Sequence, residues 1–335
     1  MVETRVEHFT PGVATDHAME TVAGEHNQLR VLELYSGIGG MHCALKDSGL
    51  NYKIVAAVDI NEKANIIYKH NFRETNLLQR NIESISVQQL DKMKIDLLTM
   101  SPPCQPFTRL GCQKDVSDPR AKSFLYLLNT LPKLENQPKY ILLENVKGFE
   151  TSNARAAFRE MLDRCGYIYK CWSSVCGGQL DDRKLLHNCQ DSAMRTLGSY
   201  LSPHDMESRH QLPQQLVTRF LKVMDVVSPQ STRSCCFTKA YGRYIEGTGS
   251  VLLSDFTDSI HIVEGKAMHG TCAAPSTLRL SYFSPKDIAN IMCFPTDYTF
   301  PKDCTSRDCY KVLGNSINIY VVSVLLRLLT LGDDL

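Results

Sequence analysis

The chain has 335 residues, a formal net charge of +1 and 43% hydrophobic residues. This length allows one large domain with a smaller lobe, and the near-zero charge excludes a polyanion binder whose whole surface is basic. The longest apolar stretch, Tyr320 to Leu331, is interrupted by Arg327 and is too short to span a bilayer. The thirteen cysteines are an odd number without zinc-ligand spacing, which favours a reducing compartment and no metal site.

The first half of the chain alternates strand and helix signals after a polar leader over 1–28, which we expect to be mobile. Because helices join neighbouring parallel strands, this alternation predicts an α/β fold with a parallel sheet. The predicted strands are Val31–Tyr35, Ile54–Val58, Ile95–Met100, Tyr140–Leu143 and Tyr167–Trp172. The predicted helices are Met41–Asp47, Glu62–His70, Ser86–Met93, Phe124–Leu134 and Asn153–Cys165.

The second half of the chain is less regular. Polar residues with little periodicity run from Ser173 to about Gln215, and they predict loops. Short strands are predicted at Leu221–Val227, Ser234–Phe237 and Gly249–Leu253. Helices are predicted at Ser284–Met292, with proline in its first turn, and at Ile317–Leu331.

A glycine turn follows the first predicted strand. Gly37, Gly39 and Gly40 let the backbone approach a ligand where a side chain would block it. Asp59 follows the next strand about 20 residues later, where a carboxylate can hold ribose hydroxyl groups. The glycine spacing lacks the dinucleotide form, so it favours a nucleoside ligand without pyrophosphate. The structural alternative for the glycines is a tight corner, and the alternative for Asp59 is a helix cap.

Two reactive side chains follow adjacent predicted strands. Cys104 comes after two prolines that stop the Ile95–Met100 strand, and Glu144 comes after the Tyr140–Leu143 strand. A thiolate can add to carbon 6 of a cytosine while a carboxylic acid protonates ring nitrogen 3. Carbon 5 then becomes enamine-like and can accept a methyl group from a sulfonium. Taken singly, Cys104 has the alternative of a buried loop cysteine, and Glu144 has the alternative of a helix cap.

Four ordered motifs resemble those of the cytosine-5 methyltransferases. They are Tyr35-Ser36-Gly37-Ile38-Gly39-Gly40, Pro102-Pro103-Cys104-Gln105, Glu144-Asn145-Val146 and Gly314-Asn315-Ser316. Within that family, Cys236-Phe237-Thr238-Lys239 and the run from Tyr244 to Ser250 resemble the DNA methyltransferase two branch. The resemblance implies a Rossmann-like sheet that binds S-adenosylmethionine, with a small target-recognition lobe. It also implies methylation of cytosine carbon 5 in the anticodon loop of tRNA, chiefly aspartate tRNA, through a covalent cysteine adduct.

The resemblance assigns roles position by position. Cys104 becomes the nucleophile, and Glu144 becomes the acid at ring nitrogen 3. The residues that it places around S-adenosylmethionine are Ile38, Gly39, Gly40, Asp59, Ile82, Glu83, Ser101, Asn315 and Ser316. The residues that it places on the RNA side are Arg183, Cys236, Phe237 and Thr238.

A separate hypothesis concerns basic residues that would grip RNA phosphates. Lys122 and Lys239 lead this group, and a solvated surface without such a role is the alternative. The other members of the group are Arg109, Lys114, Arg120 and Arg243.

The predicted organisation has four parts. After the leader over 1–28, a catalytic, cofactor-binding domain covers 29–172. A shortened irregular segment and the target-recognition lobe cover 173–280, and C-terminal helices over 281–335 return to the catalytic domain. We expect a monomer with tRNA as its partner, without metal or membrane, in the cytoplasm or in the nucleus as well.

The chain departs from the family pattern between 173 and 220. Where an Arg-x-Arg pair is usual, Arg183 stands at the first place and Leu185 at the second. The segment is also shorter than in the family, and a missing strand would leave backbone groups of its neighbours unpaired. Cys293 stands where glycine is usual before Phe294-Pro295. Two alternatives therefore remain: a DNA cytosine-5 methyltransferase, or an impaired variant that only binds RNA or cofactor.

Overall fold

The computed structural model describes residues 2–6, 28–103, 115–172, 195–203, 209–253, 260–263, 266–269 and 278–330. The chain divides into two compact units. The first unit comprises 1–65, 72–176 and 320–335, and the second comprises 66–71 and 177–319. The C-terminal region therefore divides differently from the predicted boundary at 281, because 281–319 pack within the second unit.

Seven strands form the sheet of the first unit. They are β1 (Val2–Val6), β2 (Leu29–Leu34), β3 (Tyr52–Asp59), β4 (Leu77–Gln79), β5 (Leu97–Met100), β6 (Tyr140–Glu144) and β7 (Ile168–Trp172). Their order across the sheet is β4-β3-β2-β5-β6-β1-β7, and every neighbouring pair from β4 to β6 is parallel. This arrangement confirms the predicted α/β fold, since parallel neighbours need crossover connections of the kind that helices provide.

Strand β1 corrects the expectation of a wholly mobile leader. It lies between β6 and β7 and runs antiparallel to both. Its pairing with β7 runs from Val2 opposite Trp172 to Val6 opposite Ile168. The strand supplies backbone partners to both β6 and β7, whereas a missing strand was expected to leave backbone groups of its neighbours unpaired. Val2, Thr4 and Val6 alternate with the charged Glu3 and Arg5, which is a pattern typical of a strand. The polar composition of the leader as a whole hides this pattern.

The helices lie close to their predicted positions where the sequence carries a cap. Ser86 and Gln89 form a capping box in which each side chain accepts the other residue's backbone N–H. Ser284 does the same with Asp287 around Pro285. The helices are α1 (Gly40–Ser48), α2 (Glu62–Asn71), α3 (Val87–Met93), α4 (Lys122–Thr130), α5 (Asn153–Arg164), α6 (Gln214–Phe220), α7 (Pro285–Ile291), α8 (Ser306–Leu313) and α9 (Ile319–Thr330).

The core of the first unit lies between one face of the sheet and helices α4 and α5. Three buried rings meet there, with Phe124 at 6.1 Å from Phe149 and 5.8 Å from Phe158 between centroids. Leu98 and Leu143 contribute from the central strands. Full burial of each such side chain stabilises the fold by about 1.5–3 kcal/mol. The core therefore fixes the ends of β5 and β6, which carry the predicted reactive residues.

The second unit contains a small sheet in the order β12-β9-β8 and the hairpin β10-β11. The predicted strand Leu221–Val227 is wrong over most of its length, because α6 runs into a single turn of 3₁₀ helix at Leu221–Val223. No strand forms at Ser234–Phe237, where Cys235 donates its backbone N–H to the Ser250 hydroxyl. The strands of this unit are β8 (Val226–Val227), β9 (Val251–Leu253), β10 (Ile260–Val263), β11 (Lys266–His269) and β12 (Leu280–Ser281).

A buried ion pair holds part of the predicted loop segment in place. The fully buried Asp287 accepts hydrogen bonds from Arg209 Nε at 2.7 Å and from the Ser202 backbone N–H at 2.8 Å. These contacts fix Ser202 and Arg209 to helix α7. In the parts of the chain that the structure describes, no helix is long and apolar enough to cross a membrane. The same residues contain no group of three or more His, Cys, Asp or Glu side chains placed to bind a metal ion.

Candidate active site

The ends of β5 and β6 bring Glu144 and the residues that precede Cys104 to one edge of the sheet. Met100 pairs with Leu143, so the chain leaves both strands at the same edge of the sheet. The buried Asn145 then donates from its side-chain amide to the Pro102 carbonyl oxygen at 3.3 Å. This bond joins the residue after Glu144 to a residue two positions before Cys104. Cys104 itself lies outside the described residues.

The segment that carries Cys104 has a fixed residue on each side. Asn145 holds Pro102 before it, and Asp115 after it is bound to the start of α5. The Asp115 carboxylate accepts backbone N–H groups of Asn153 at 2.6 Å and Ala154 at 3.1 Å, at the start of α5. A carboxylate is favourable there because the first N–H groups of a helix lack internal partners.

Glu144 combines partial exposure with an altered acidity. It ends β6 next to the fully buried Leu143, and its side chain is half-buried. Burial raises the pKa of its carboxyl, because the protein replaces water around the charged form. A carboxyl with a raised pKa keeps its proton to higher pH, which is the property that a proton donor needs.

The glycine turn after β2 is strained and is bound to Asp59. Tyr35, Gly37 and Gly39 all have positive φ, of 55°, 52° and 86°. Gly37 donates its N–H to Asp59 Oδ2 at 2.8 Å, and Asn61 donates to Oδ1 at 2.7 Å. Burial raises the pKa of Asp59, and these backbone bonds act in the opposite direction. The turn and the carboxylate thus form one connected structure, as the spacing predicts.

Two of the residues assigned to S-adenosylmethionine follow β4. Ile82 is buried and begins the turn of 3₁₀ helix Ile82–Ser84, in which Glu83 is exposed. The Tyr35 hydroxyl donates to Ser123 Oγ at 3.0 Å. Burial raises the pKa of Tyr35, and the carboxylates of Glu83 and Asp59 add to the rise.

Ser101 follows β5 directly and is half-buried in the first unit, whereas the remaining assigned residues belong to the second unit. Asn315 is exposed and Ser316 is half-buried in the turn after α8, and their place in a cofactor pocket stays a prediction. Cys236 and Lys239 are exposed, whereas Phe237 and Thr238 are half-buried.

Gly314 joins two of these motifs. A Cβ at this position would lie 2.1 Å from Lys239 N and 2.2 Å from the Thr238 carbonyl carbon. Only glycine therefore allows the turn after α8 to touch the backbone at 238–239. The predicted target-recognition segment and the Gly-Asn-Ser turn are packed directly on each other.

The basic group is only partly available to a ligand. Lys122 is exposed at the start of α4, and Lys239 is exposed in the second unit. Arg120 instead forms an ion pair with Asp118 at 2.6 Å, which opposes its predicted role in phosphate binding. Arg109, Lys114 and Arg183 lie outside the described residues.

Sequence reasoning missed several residues that build this site. Asn145 and Gly314 stand inside recognised motifs, but their contacts depend on segments far away in the chain. The positive φ of Tyr35 could not be predicted from the local sequence, because tyrosine rarely adopts this conformation. Asp115 was missed because it lies 38 residues before Asn153, the first residue of the helix whose N–H groups it accepts. The exposed Ile60, with 70% of its surface accessible, follows Asp59 directly and marks an apolar surface beside the turn.

Comparisons with known proteins agree with this geometry. A family model of C-5 cytosine-specific DNA methylases matches residues 29–176. The tRNA (cytosine(38)-C(5))-methyltransferase of Spodoptera frugiperda is 42% identical over 332 residues, covering 90% of this chain and 98% of the relative. The enzyme of the same name from Mus musculus is 37% identical, covering 91% and 94%. That alignment extends over 391 positions, more than the length of this chain, so the mouse protein carries segments that are lacking here.

A solved structure matches over nearly the whole chain. The crystal structure of the S. pombe Dnmt2 methyltransferase has a TM-score of 0.75 and 33% identity. The match covers 92% of this chain and all of the other. The chain belongs to the cytosine-5 methyltransferase family, in its DNA methyltransferase two branch, whose members take their methyl group from S-adenosylmethionine.

Proposed function

We propose that this protein methylates carbon 5 of a cytosine in the anticodon loop of tRNA, with aspartate tRNA as the first candidate. The names of its relatives support tRNA as the substrate class. The observation that carries the chemistry is the hydrogen bond from Asn145 to Pro102, because it joins the strand ends that lead to Cys104 and Glu144.

The proposed reaction uses a covalent adduct with the cysteine. The Cys104 thiolate adds to cytosine carbon 6, and Glu144 gives its proton to ring nitrogen 3. Negative charge therefore does not build up on the ring, and carbon 5 becomes nucleophilic. Carbon 5 would then take the methyl group of the sulfonium, and the electron pair of the broken carbon–sulfur bond would leave with the thioether. The proton on ring nitrogen 3 returns to Glu144, and removal of the carbon 5 proton by a base expels the Cys104 thiolate and restores the aromatic ring. The raised pKa of Glu144 supports this role, since the acid must be protonated when the thiolate attacks.

The residues of the glycine turn fit S-adenosylmethionine. This cofactor supplies an electrophilic methyl group on a sulfonium when it is bound. Gly39 caps α1 without a side-chain hydrogen bond, and the Ser36 hydroxyl is buried without a partner among the described residues. The exposed Ile60 offers an apolar surface next to the Asp59 carboxylate. We propose that the glycine turn and Asp59 hold the amino acid and ribose parts, and that Ile60 contacts the adenine.

The test uses the purified full-length chain with labelled S-adenosylmethionine. We expect methyl transfer to aspartate tRNA and none to duplex DNA. RNA that carries 5-fluorocytosine should form a denaturation-resistant adduct with the protein, because fluorine blocks loss of the group at carbon 5. The adduct should disappear in Cys104→Ala and persist in Cys171→Ala, a control at an exposed cysteine of β7.

The outcomes separate the alternatives. Transfer to duplex DNA alone would replace the tRNA proposal with the DNA methyltransferase. Binding of tRNA without adduct or transfer would identify an impaired variant, as the Arg183 and Leu185 departure suggests. We also propose a cytoplasmic location, with a nuclear pool as the alternative, which a fluorescent fusion would distinguish.

A further inference from the structure

An exposed tyrosine lies beside the predicted target-recognition segment. Tyr244 keeps 55% of its surface accessible, although it is a large and partly apolar side chain. The guanidinium carbon of Arg243 lies 5.0 Å from the centre of its ring. A cation at this distance from an aromatic ring is attracted to it, and the pair forms a flat surface with a positive edge.

The backbone under Tyr244 is fixed by several contacts. The Tyr244 N–H donates to the Ala240 carbonyl at 3.1 Å, and its own carbonyl accepts the hydroxyl of the buried Thr248 at 2.7 Å. Thr238 in turn donates its N–H to the Thr248 carbonyl at 2.9 Å. The ring is therefore presented from an ordered turn, so little conformational entropy is lost when something binds to it.

A buried tyrosine anchors that turn to the rest of the unit. The hydroxyl of the buried Tyr241 donates to the Ser250 carbonyl at 2.7 Å and accepts the Phe283 N–H at 3.0 Å. Gly249, with φ of 145°, leaves space for the rings of Phe237 and Tyr241, since a Cβ there would lie 2.8 Å from each. One tyrosine thus holds the turn in place, while Tyr244 stays on the surface.

The surroundings of the exposed ring favour nucleic acid over a protein partner. Two cations, Lys239 and Arg243, are exposed in the same turn together with one carboxylate, Glu246. A protein-binding site would surround the aromatic ring with further apolar side chains. An aromatic ring among cations instead matches an unpaired base and its phosphates, because RNA loops are recognised through stacking of splayed bases.

We infer that Tyr244 is a stacking platform for an unpaired RNA base, and that Arg243 supports the ring and contacts a neighbouring phosphate. This inference rests on the proposed function, since it takes RNA as the ligand of this surface. It adds a binding residue beyond the four-residue segment from Cys236 to Lys239. The stacked base would be one that leaves the helical stack together with the target cytosine.

The experiment measures binding of a hairpin RNA with the anticodon stem and loop of aspartate tRNA. Tyr244→Ala should weaken the affinity by about 5- to 100-fold, whereas Tyr244→Phe and Tyr244→Trp should retain it, because stacking needs a ring and no hydroxyl. Tyr320→Ala is the matched control, since Tyr320 is 59% exposed and belongs to the first unit. It should leave the affinity unchanged.

Salt dependence separates stacking from phosphate contact. Tyr244→Ala should leave the slope of log affinity against log salt concentration unchanged, because stacking releases no counterion. Arg243→Ala should make that slope shallower by about one, because one phosphate contact is lost. An affinity of Tyr244→Ala equal to that of the parent, or an equal loss in Tyr244→Phe, would overturn the inference. Because the readout is binding, an absence of methyl transfer in the parent protein would count against the proposed function alone.

Discussion

The close contact of Gly314 with the backbone at 238–239 makes a sharp prediction for Gly314→Ala. Gly314 has φ of −68° and ψ of −2°, so alanine suits its backbone and the effect is steric. The new methyl group would lie 2.1 Å from Lys239 N and 2.6 Å from the Thr238 carbonyl oxygen. Real Cβ atoms do not approach other atoms this closely, so one of the two backbone segments must move.

The magnitude follows from what has to move. Overpacking costs about 1–3 kcal/mol when side chains can adjust, and here the neighbour is backbone held by its own hydrogen bonds. A cost of about 3 kcal/mol is therefore expected. The lower entropy of unfolded alanine offsets about 0.4–1 kcal/mol of it. We expect a net loss of about 2–3 kcal/mol in the free energy of unfolding.

Urea unfolding followed by circular dichroism measures this loss, and Gly247→Ala is the matched control. Gly247 has φ of 67°, and a Cβ there would meet nothing within 4 Å. Gly247→Ala should lower the free energy of unfolding only because alanine is strained in the left-handed region. That strain costs about 1–2 kcal/mol, before the same offset from the unfolded state is subtracted. A Gly314→Ala protein as stable as the parent, or one no less stable than Gly247→Ala, would refute the contact. A movement of 238–239 should also weaken binding of the anticodon hairpin.

Three further changes test other parts of the structure. Cys293 has φ of 63°, a conformation that glycine adopts without strain, so Cys293→Gly should raise the free energy of unfolding by up to about 1 kcal/mol. Urea unfolding measures this change, and an unchanged urea midpoint would contradict it. Burial raises the Glu144 pKa, so stability is lost as pH rises from the ordinary carboxyl pKa through the raised value. Glu144→Gln should therefore gain urea stability relative to the parent as pH rises over that range, while methyl transfer falls about 100-fold or more; a stability difference that does not change with pH would contradict the raised pKa. Deletion of residues 1–6 should reduce urea stability by about 1 kcal/mol per backbone hydrogen bond lost, and an unchanged unfolding free energy would contradict the pairing of β1 with β6 and β7.

The parts of the fold that the sequence predicts are those with a local cause. Strands β2, β3, β5 and β6 are short apolar runs followed by polar or turn-forming residues, and each was found within a few residues. Helix α7 was found because Ser284 and Pro285 mark its start. The glycine usual at Cys293 also has a local cause, because this residue follows the helix in the left-handed conformation, where glycine closes helices.

The features that the sequence does not predict depend on distant segments. The positive φ of Tyr35, the bond from Asn145 to Pro102 and the contact of Gly314 with 238–239 each need the folded neighbour to exist. The wrong strand at Leu221–Val227 has a related cause. Five of its seven residues are apolar, but the chain continues from α6 into a 3₁₀ turn, and within the described residues only Val226–Val227 of this segment finds a strand partner.

The shortened segment and the leader are best understood together. A sheet is assembled by backbone pairing, so the strand between β6 and β7 can come from any part of the chain that reaches it. Here Val2–Val6 takes that place, and Val2 pairs with both Glu144 and Trp172. The strand end that carries the proposed acid therefore has a neighbour on each side, β5 and β1. The shorter segment between 173 and 220 therefore does not leave β6 at an open edge of the sheet, because β1 pairs with it. The altered segment and the intact neighbourhood of Glu144 give opposite expectations for activity, and the methyl transfer assay decides between them.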